Sequence, residues 1–206
     1  MAADMAEPSR FVEVERKFDV DAGTPVPVWT GVAGVASVTD GELRHLDALY
    51  LDDDALSLGR AGVALRRRTG GPDAGWHIKG PLVDGARVEL GWPLGDGDGV
   101  PEAVLAEVSA WTTAPLRPLA RIVNDRTAYE LLDADGGVVA EFVDDHVRTT
   151  DLRAGVEREW HEWEIELGES APADPDVFFA DVERAALAAG ARDASSTSKL
   201  ARALGR

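Results

Sequence analysis

Two short segments near opposite ends of the chain carry acidic side chains at every second position. The first reads Glu13-Val14-Glu15-Arg16-Lys17, and the second reads Glu162-Trp163-Glu164-Ile165-Glu166. In a β-strand, successive side chains point to opposite faces, so each segment would present an acidic face, to which Lys17 adds an ammonium group. Two interpretations are open. Each face is either a solvated, charge-mixed surface, or a wall of an enclosed site in which carboxylates bind a cation and Lys17 binds an anion.

Three further predicted strands have a charged face opposite an apolar face. The charged sets are Arg66 and Arg68, then Lys79, then Arg87 and Glu89. If the sheet closes into a barrel, the apolar faces pack against helices and the charged faces point inward, which gives an interior with on the order of ten charges. Such an interior is costly unless ligands pair with its charges. The five concordant strands therefore favour the enclosed site.

A divalent cation together with a polyanion would pair with charges of both signs. Ligation by carboxylate oxygens alone suits Mg²⁺ or Mn²⁺, which are commonly shared with substrate phosphates. Arginine and lysine bind phosphate oxygens. Three like charges in a row on one strand cost free energy without a cation. Glu164 is the central carboxylate of the second segment. We therefore expect Glu164→Gln to leave the stability of the metal-free protein unchanged or to raise it.

Composition and charge exclude several classes of protein. The chain has 206 residues and a net charge of −17, which argues against nucleic-acid binding but not against a small anionic substrate. It has no cysteine, so disulfides and thiolate metal sites are excluded. Residues 1–10 are expected to form a disordered tail and residues 11–206 a single domain. No apolar run could span a membrane, and a cytoplasmic location is the default expectation. The sequence does not indicate an oligomeric state.

The pattern of elements predicts an α+β fold with antiparallel pairing. After the opening strand, strands are expected over residues 44–52, 63–68, 76–79, 87–90, 121–132, 138–147 and 156–167. Asp84-Gly85 is a typical two-residue hairpin turn. Helices are expected to begin at Pro101, to extend from Asp174 to Gly190, and to follow the Ser195–Ser198 cap. The triplet Asp52-Asp53-Asp54 is expected to cap a short turn over residues 55–58.

Two smaller features are interpreted as packing. In the first predicted helix, an apolar stripe is expected to pack against the sheet; its members are Val104, Leu105, Val108 and Trp111. His77, beside Lys79, is interpreted as a neutral partner or surface residue. None of the four histidines has metal-ligand spacing to another.

The order of these motifs resembles the CYTH family, the triphosphate tunnel metalloenzymes. The resemblance covers nearly the whole chain from about Phe11, and it rests on these segments: Glu13-x-Glu15-x-Lys17, Tyr50-Leu51-Asp52, residues 61–68, residues 78–81, Arg87-Val88-Glu89, Arg126, Asp145, Glu162-x-Glu164-x-Glu166 and Ser198-Lys199. It implies a closed eight-stranded antiparallel β-barrel, or tunnel, with helices packed on the outside. It also implies a triphosphate substrate bound with Mg²⁺ or Mn²⁺. Where the family often has Tyr-Phe-Asp-Thr, this chain has Tyr50-Leu51-Asp52-Asp53, and a second, helical domain, as in some relatives, is not expected.

The resemblance and the charge pattern together give each candidate residue a role. The catalytic candidates are Glu13, Glu15 and Lys17. The substrate-binding candidates are Lys17, Arg66, Arg68, Lys79, Arg87, Arg126 and Lys199. The metal-binding candidates are Glu13, Glu15, Glu162, Glu164 and Glu166, and the second-choice ligands or orienting groups are Glu89, Glu141 and Asp145.

Three activities are compatible with this site. The first is metal-dependent hydrolysis of a triphosphate, either inorganic tripolyphosphate or an organic triphosphate. The second is a class IV type adenylate cyclase, in which the ribose hydroxyl attacks the α-phosphate and pyrophosphate leaves. The third is a module that binds polyphosphate without turnover, which the acidic sets disfavour because anion binding alone needs no carboxylates. We expect the hydrolase.

Overall fold

The computed structural model describes residues 7–95, 97 and 99–206, and its chain forms ten strands and four α-helices. The strands are β1 (Ser9–Val20), β2 (Ser37–Val38), β3 (Glu42–Asp52), β4 (Ala64–Thr69), β5 (Gly75–Val83), β6 (Ala86–Trp92), β7 (Arg117–Leu132), β8 (Val138–Asp151), β9 (Val156–Leu167) and β10 (Arg192–Asp193). The helices are α1 (Ser57–Arg60), α2 (Glu102–Val108), α3 (Pro175–Ala189) and α4 (Lys199–Ala203), with a 3₁₀ turn over Trp29–Gly31.

Eight of the strands close into an antiparallel barrel in the order β1-β6-β5-β4-β3-β7-β8-β9. The barrel closes at β1, whose segment Ser9–Val14 pairs with β6 and whose segment Glu15–Val20 pairs with β9. The predicted eight-stranded antiparallel barrel is therefore confirmed; β2 and β10 are two-residue additions to its wall. Because β1 begins at Ser9, the predicted tail over residues 1–10 extends two residues too far, and residues 1–6 of that prediction lie outside the described part of the chain.

The apolar faces of the strands point outward and are covered by helices. On one side, Trp163 and Ile165 of β9 pack in a buried cluster with Phe178 and Val182 of α3. On another side, residues of β4 and β5 pack with α2, and the buried members are Leu65, Trp76, Ile78, Val104 and Val108. The inward faces are therefore left to the charged residues, as the alternation predicts.

The apolar stripe predicted around α2 is only half correct. Val104 and Val108 are buried, but Leu105 is 44% exposed and Trp111 is 37% exposed. The helix ends at Val108. Trp111 therefore lies beyond the helix, and a helical spacing does not fix its orientation.

The last helix, α4, differs from the others because it contacts inward-facing residues. Its fully buried Ala203 belongs to a cluster with Tyr50, Ile122 and Trp160. The guanidinium of Arg158 donates to the carbonyl of Ala203 at 2.6 Å. The expectation that the helices pack on the outside therefore does not fully describe α4, which brings Lys199, its first residue, and Leu200 to the lining of the interior cavity.

Local sequence signals determine several helix ends as predicted. Asp174 caps α3 by accepting from the backbone N–H of Val177, and Gly190 ends this helix in the left-handed conformation. Asp52 and Asp53 accept from the backbone N–H groups of α1, including that of Ser57 at 3.0 Å. The predicted acidic cap is thus confirmed at these two residues. Within the described residues, no helix is long and apolar enough to cross a membrane.

Gly70 provides a test of the turn between β4 and β5. Its φ is +78°, and a Cβ there would lie 1.9 Å from the backbone oxygen of His45. Gly136 has a similar φ of +86°, but a Cβ there would meet open space. We expect Gly70→Ala to lower the free energy of unfolding by more than about 2 kcal/mol and Gly136→Ala by about 1 kcal/mol. Urea denaturation measures both, and equal losses would contradict the close approach.

Candidate functional site

The inward faces of the barrel enclose a highly charged cavity of about 270 Å³. Its basic lining residues are Lys17, Arg44, Arg66, Arg68, Lys79, Arg87, Arg126 and Lys199. Its acidic lining residues are Glu13, Glu15, Asp73, Glu89, Glu141, Glu164 and Glu166. The structure thus brings the sequence-predicted site residues to one cavity, except Glu162 and Asp145, which are buried and do not line it.

One wall is an ion-pair cluster centred on Lys199. Its ammonium lies 2.9 Å from Asp145, 2.5 Å from Glu162 and 2.7 Å from Glu164. Arg126 makes a bidentate pair with Asp145, at 2.8 and 2.7 Å, and contacts Glu164 at 3.0 Å. Lys17 also contacts Glu164 directly. Three cations therefore surround this group of buried carboxylates.

Oxygens of Asp145, Glu162 and Glu164 lie within 4.8 Å of one another, close enough to hold a metal ion. A dication there would, however, have to displace the Lys199 ammonium. Burial alone would raise the pKa of Glu164, but Lys17, Lys199 and Arg126 hold it well below its usual value. The expectation that Glu164 is crowded by uncompensated like charges is therefore wrong, because the protein itself supplies the cations.

The opposite wall is organised around Glu89. Lys79 lies 2.9 Å from Glu89 and 2.6 Å from Glu13, and Arg66 lies 3.2 Å from Glu89. Burial opposes ionisation of Glu89, but Lys79, Arg66 and a hydrogen bond with His77 lower its pKa. Of the two interpretations of His77, a neutral partner or a surface residue, the structure supports a partner, since His77 is buried and pairs with Glu89. Its pKa is lowered by burial, against the opposing effect of Glu89.

Between these walls runs a row of carboxylates with fewer cations. Glu166 lies directly opposite Glu15 across the β1–β9 pair and directly opposite Glu141 across the β8–β9 pair. Like charges in directly opposite positions destabilise a sheet. Burial, and then the charges of Glu13, Glu15 and Glu164, raise the pKa of Glu166 to about 7. Burial and Glu164 likewise raise the pKa of Glu15. The carboxylates of this row therefore have less internal charge compensation than those of the Lys199 cluster.

Two cavity arginines have few anionic partners. Burial, followed by the charges of Arg66 and Arg126, lowers the pKa of Arg68 to about 9, although the Asp73 carboxylate contacts it. Arg87 lines the cavity and forms no ion pair with any residue that the structure describes. An anionic ligand would supply the partner that these guanidiniums lack.

Arg44 and Asn124 are among the cavity residues that sequence reasoning missed. Arg44 contacts Glu42 at 2.6 Å and Glu141 at 3.0 Å. Asn124 is 4% exposed, and its side-chain oxygen has no hydrogen-bond partner among the described residues. Both could be found by extending the two-residue alternation, from Tyr50 back to Arg44 and from Arg126 back to Asn124. They were hidden because their inward neighbours are apolar, Leu46 and Ile122.

At the Tyr50-Leu51-Asp52-Asp53 segment, the tyrosine alone lines the cavity. Asp52 and Asp53 point to α1, where they cap the helix, and Asp53 also accepts from the hydroxyl of Thr112 at 2.6 Å. The second aspartate, which stands where the family often has threonine, therefore has a structural partner outside the cavity.

The comparisons with known proteins agree with this architecture. The CYTH domain model matches residues 12–201. Two uncharacterised proteins, from two strains of Mycobacterium tuberculosis, are each 38% identical over 217 aligned residues. The alignment covers 100% of this chain and 42% of each relative, so the chain spans less than half the length of these relatives.

Solved structures share the fold at low sequence identity. A candidate adenylate cyclase from Bacillus halodurans has a TM-score of 0.62 and 18% identity, with 94% of this chain and 97% of that chain covered. A Pyrococcus horikoshii protein has a TM-score of 0.60 and 15% identity, with 94% and 98% covered. A candidate adenylyl cyclase from Hippeastrum, described as having a dominant triphosphatase activity, has a TM-score of 0.60 and 15% identity, with 94% and 95% covered.

Glu164 and Glu166 should respond oppositely to loss of charge in the metal-free protein. Because cations lower the pKa of Glu164, its carboxylate stabilises the fold at neutral pH, and this stability is lost as the pH falls through its folded pKa. We expect Glu164→Gln to lower the free energy of unfolding by about 3 kcal/mol at pH 7, since it leaves buried cations without a partner. Denaturation in EDTA measures this change.

The raised pKa of Glu166 makes its contribution to stability depend on pH in the opposite direction from that of Glu164. The folded state binds an extra proton between about pH 4.5, the unfolded value, and about pH 7, so the stability that this residue provides at low pH is lost as the pH rises through that window. We expect Glu166→Gln to be more stable than the wild type by about 1–2 kcal/mol at pH 8 and similar to it at pH 4.5. A parallel pH dependence of the two proteins would contradict the raised pKa.

Proposed function

The chain belongs to the CYTH domain family, and we propose that it is a divalent-metal-dependent hydrolase of a triphosphate-containing substrate, inorganic tripolyphosphate or an organic triphosphate. The observation that carries this proposal is the composition of the barrel interior. Eight basic side chains line the same cavity as a row of mutually opposed carboxylates. A polyanion needs the former and a divalent cation needs the latter.

The basic residues differ in how readily they could accept a phosphate. Arg87 forms no ion pair with any described residue, so it would bind a phosphate oxygen without giving one up, and Arg68 would give up only its contact with the half-exposed Asp73. Arg66 and Lys79 share Glu89 and would gain a second anion. Lys17, Arg126 and Lys199 hold the Glu164 cluster and would face the substrate from the other wall. Together these residues would neutralise the charge that develops during phosphoryl transfer.

The carboxylate row would hold the metal ion. Glu15 and Glu166 are directly opposite each other, and Glu13 and Glu164 contribute charge to the same space. Glu162 accepts from Lys199 and from the indole N–H of Trp160, so we assign it to holding α4 in place of its predicted role as a ligand. When bound, Mg²⁺ or Mn²⁺ supplies Lewis-acid polarisation of a phosphate oxygen and lowers the pKa of a ligating water. Lys17, between Glu15 and Glu164, donates to the phosphate beside that row.

A cyclase is the second candidate activity. It is favoured by the structural likeness to two candidate adenylate cyclases, and it would use the same charges, since a ribose hydroxyl replaces water as the nucleophile. The likeness of the Hippeastrum protein, with its dominant triphosphatase activity, favours hydrolysis instead. We retain hydrolysis as the conclusion.

Product analysis tests the activity. The protein is incubated with tripolyphosphate, ATP or thiamine triphosphate, each with Mg²⁺ or Mn²⁺, and the products are separated. We expect orthophosphate from at least one substrate, and none when EDTA replaces the metal. Pyrophosphate together with cyclic AMP would establish the cyclase, and no product from any substrate would contradict both enzymatic proposals.

Arg87 tests the site. Because its guanidinium has no ion pair within the described structure, Arg87→Gln removes a phosphate contact without exposing a buried anion. We expect kcat/KM for the preferred substrate to fall about 10- to 100-fold, the loss expected for one charge-assisted hydrogen bond, with an unchanged melting temperature. Arg121→Gln is the matched control, since Arg121 lies exposed on the outer face and pairs with Asp47. Equal kinetics of the two variants would remove Arg87 from the site.

A further inference from the structure

His77 occupies a space in the barrel wall that the backbone keeps open for it. Its side chain is buried, with the whole residue 4% exposed. Gly91 is its cross-strand partner, and Gly75 precedes it by two residues on the same face. A Cβ on Gly75 would lie 2.3 Å from the backbone oxygen of Trp92 and 3.5 Å from Nε2 of His77. Both flanking positions on this face thus lack side chains, and the imidazole lies between them.

Both ring nitrogens of His77 face oxygen atoms. Nδ1 lies 2.6 Å from Oε1 of Glu89, and Nε2 lies 2.9 Å from the backbone oxygen of Asp73. The ring therefore links Glu89, on the cavity wall, to the turn between β4 and β5. A side chain that contacts partners at both ends has a fixed orientation, and so has the carboxylate it contacts.

Protein groups engage both oxygens of Glu89. Oε1 faces His77 and accepts from Arg66 at 3.2 Å, while Oε2 contacts Lys79 at 2.9 Å. The side chain is 3% exposed. A carboxylate with this set of partners orients cations, in contrast to Glu166, which forms no ion pair with any described residue.

We propose that His77 is a positioning residue for the substrate: by fixing Glu89, it sets the positions of the Arg66 guanidinium and the Lys79 ammonium that bind the phosphates. This inference rests on the proposed function, because it concerns the same site. Glu89 without the imidazole could rotate and follow either cation. With the imidazole in place, the two cations are held at separate points on the wall before the anion arrives, so less ordering is needed on binding.

Two amide substitutions separate this role from simple space filling. The amide nitrogen of His77→Asn would stand near Nδ1 and retain a donor to Glu89, whereas that of His77→Gln would stand near Nε2 and retain a donor to Asp73. We expect the Kd for tripolyphosphate, measured calorimetrically with Ca²⁺ to prevent turnover, to rise about tenfold in His77→Gln and His77→Ala. His77→Asn should stay within about threefold of the wild type. His45→Asn, on the exposed outer face, is the matched control.

Glu89→Gln provides a second variant that keeps the shape of the wall. It should weaken tripolyphosphate binding, and adding His77→Ala to it should produce no further loss, because the two residues act as one unit. The Ca²⁺ concentration at half-saturation should be unchanged in every variant. Equal affinities of His77→Asn and His77→Gln, additive losses in the double variant, or a shifted Ca²⁺ dependence in Glu89→Gln would each overturn the inference. If the wild type binds none of tripolyphosphate, ATP and thiamine triphosphate, the proposed function is overturned first and this inference falls with it.

Discussion

The split pairing of β1 is the constraint on which the rest of the structure depends. Its first half pairs with β6 and its second half pairs with β9, so the eight-stranded sheet has no free edge there. Closure makes the two faces of every strand unequal, since one must point to the interior and the other must meet the helices. The apolar faces are covered by α2 and α3. The charged faces therefore point into the barrel, where burial of an unpaired charge costs free energy.

Ion pairs between residues of the interior offset most of the free-energy cost of burying these charges. Lys199 is paired with three carboxylates, and Glu89 is paired with Arg66, Lys79 and His77. Breaking such a buried pair leaves an uncompensated charge, so these clusters keep their geometry. Four other side chains have few oppositely charged partners. They are the cations Arg68 and Arg87 and the anions Glu15 and Glu166. Most charges of the cavity are thus compensated internally and a few of each sign are not, and this distribution is what supports the proposed binding of a metal ion together with a phosphate chain.

α4 contributes both to the packing and to the charge of the barrel interior. Ser198 caps this helix, and Ala203 packs under Tyr50 and Ile122. Its first residue, Lys199, lies among the carboxylates of β8 and β9. The helix therefore contributes apolar packing through Ala203 and a central cation through Lys199. Glu162 belongs to this arrangement, since it contacts Lys199 and Trp160 and does not line the cavity.

The sequence alone determined the features that repeat locally. The alternation in β1 and β9 predicted which residues point inward, Asp84-Gly85 predicted a hairpin, and Asp174 with Gly190 marked the ends of α3. These depend on periods of two or 3.6 residues and on backbone caps, which a short segment of sequence contains. The same alternation predicted that the charged residues would share one cavity once the sheet closed, although it did not itself determine closure.

Only the tertiary structure decided which charge pairs with which. That Glu164 is surrounded by cations while Glu166 faces Glu15 depends on the register of β9 against β1 and β8, which the spacing within one strand does not specify. The inward position of Arg44 could not be recognised from the sequence because its neighbours on the same face are apolar. The contact between His77 and Glu89 depends on the pairing of β5 with β6, which the sequence does not specify. Coulomb energies fall with distance and rise with burial, so the electrostatic character of each carboxylate was fixed only when the strands came together.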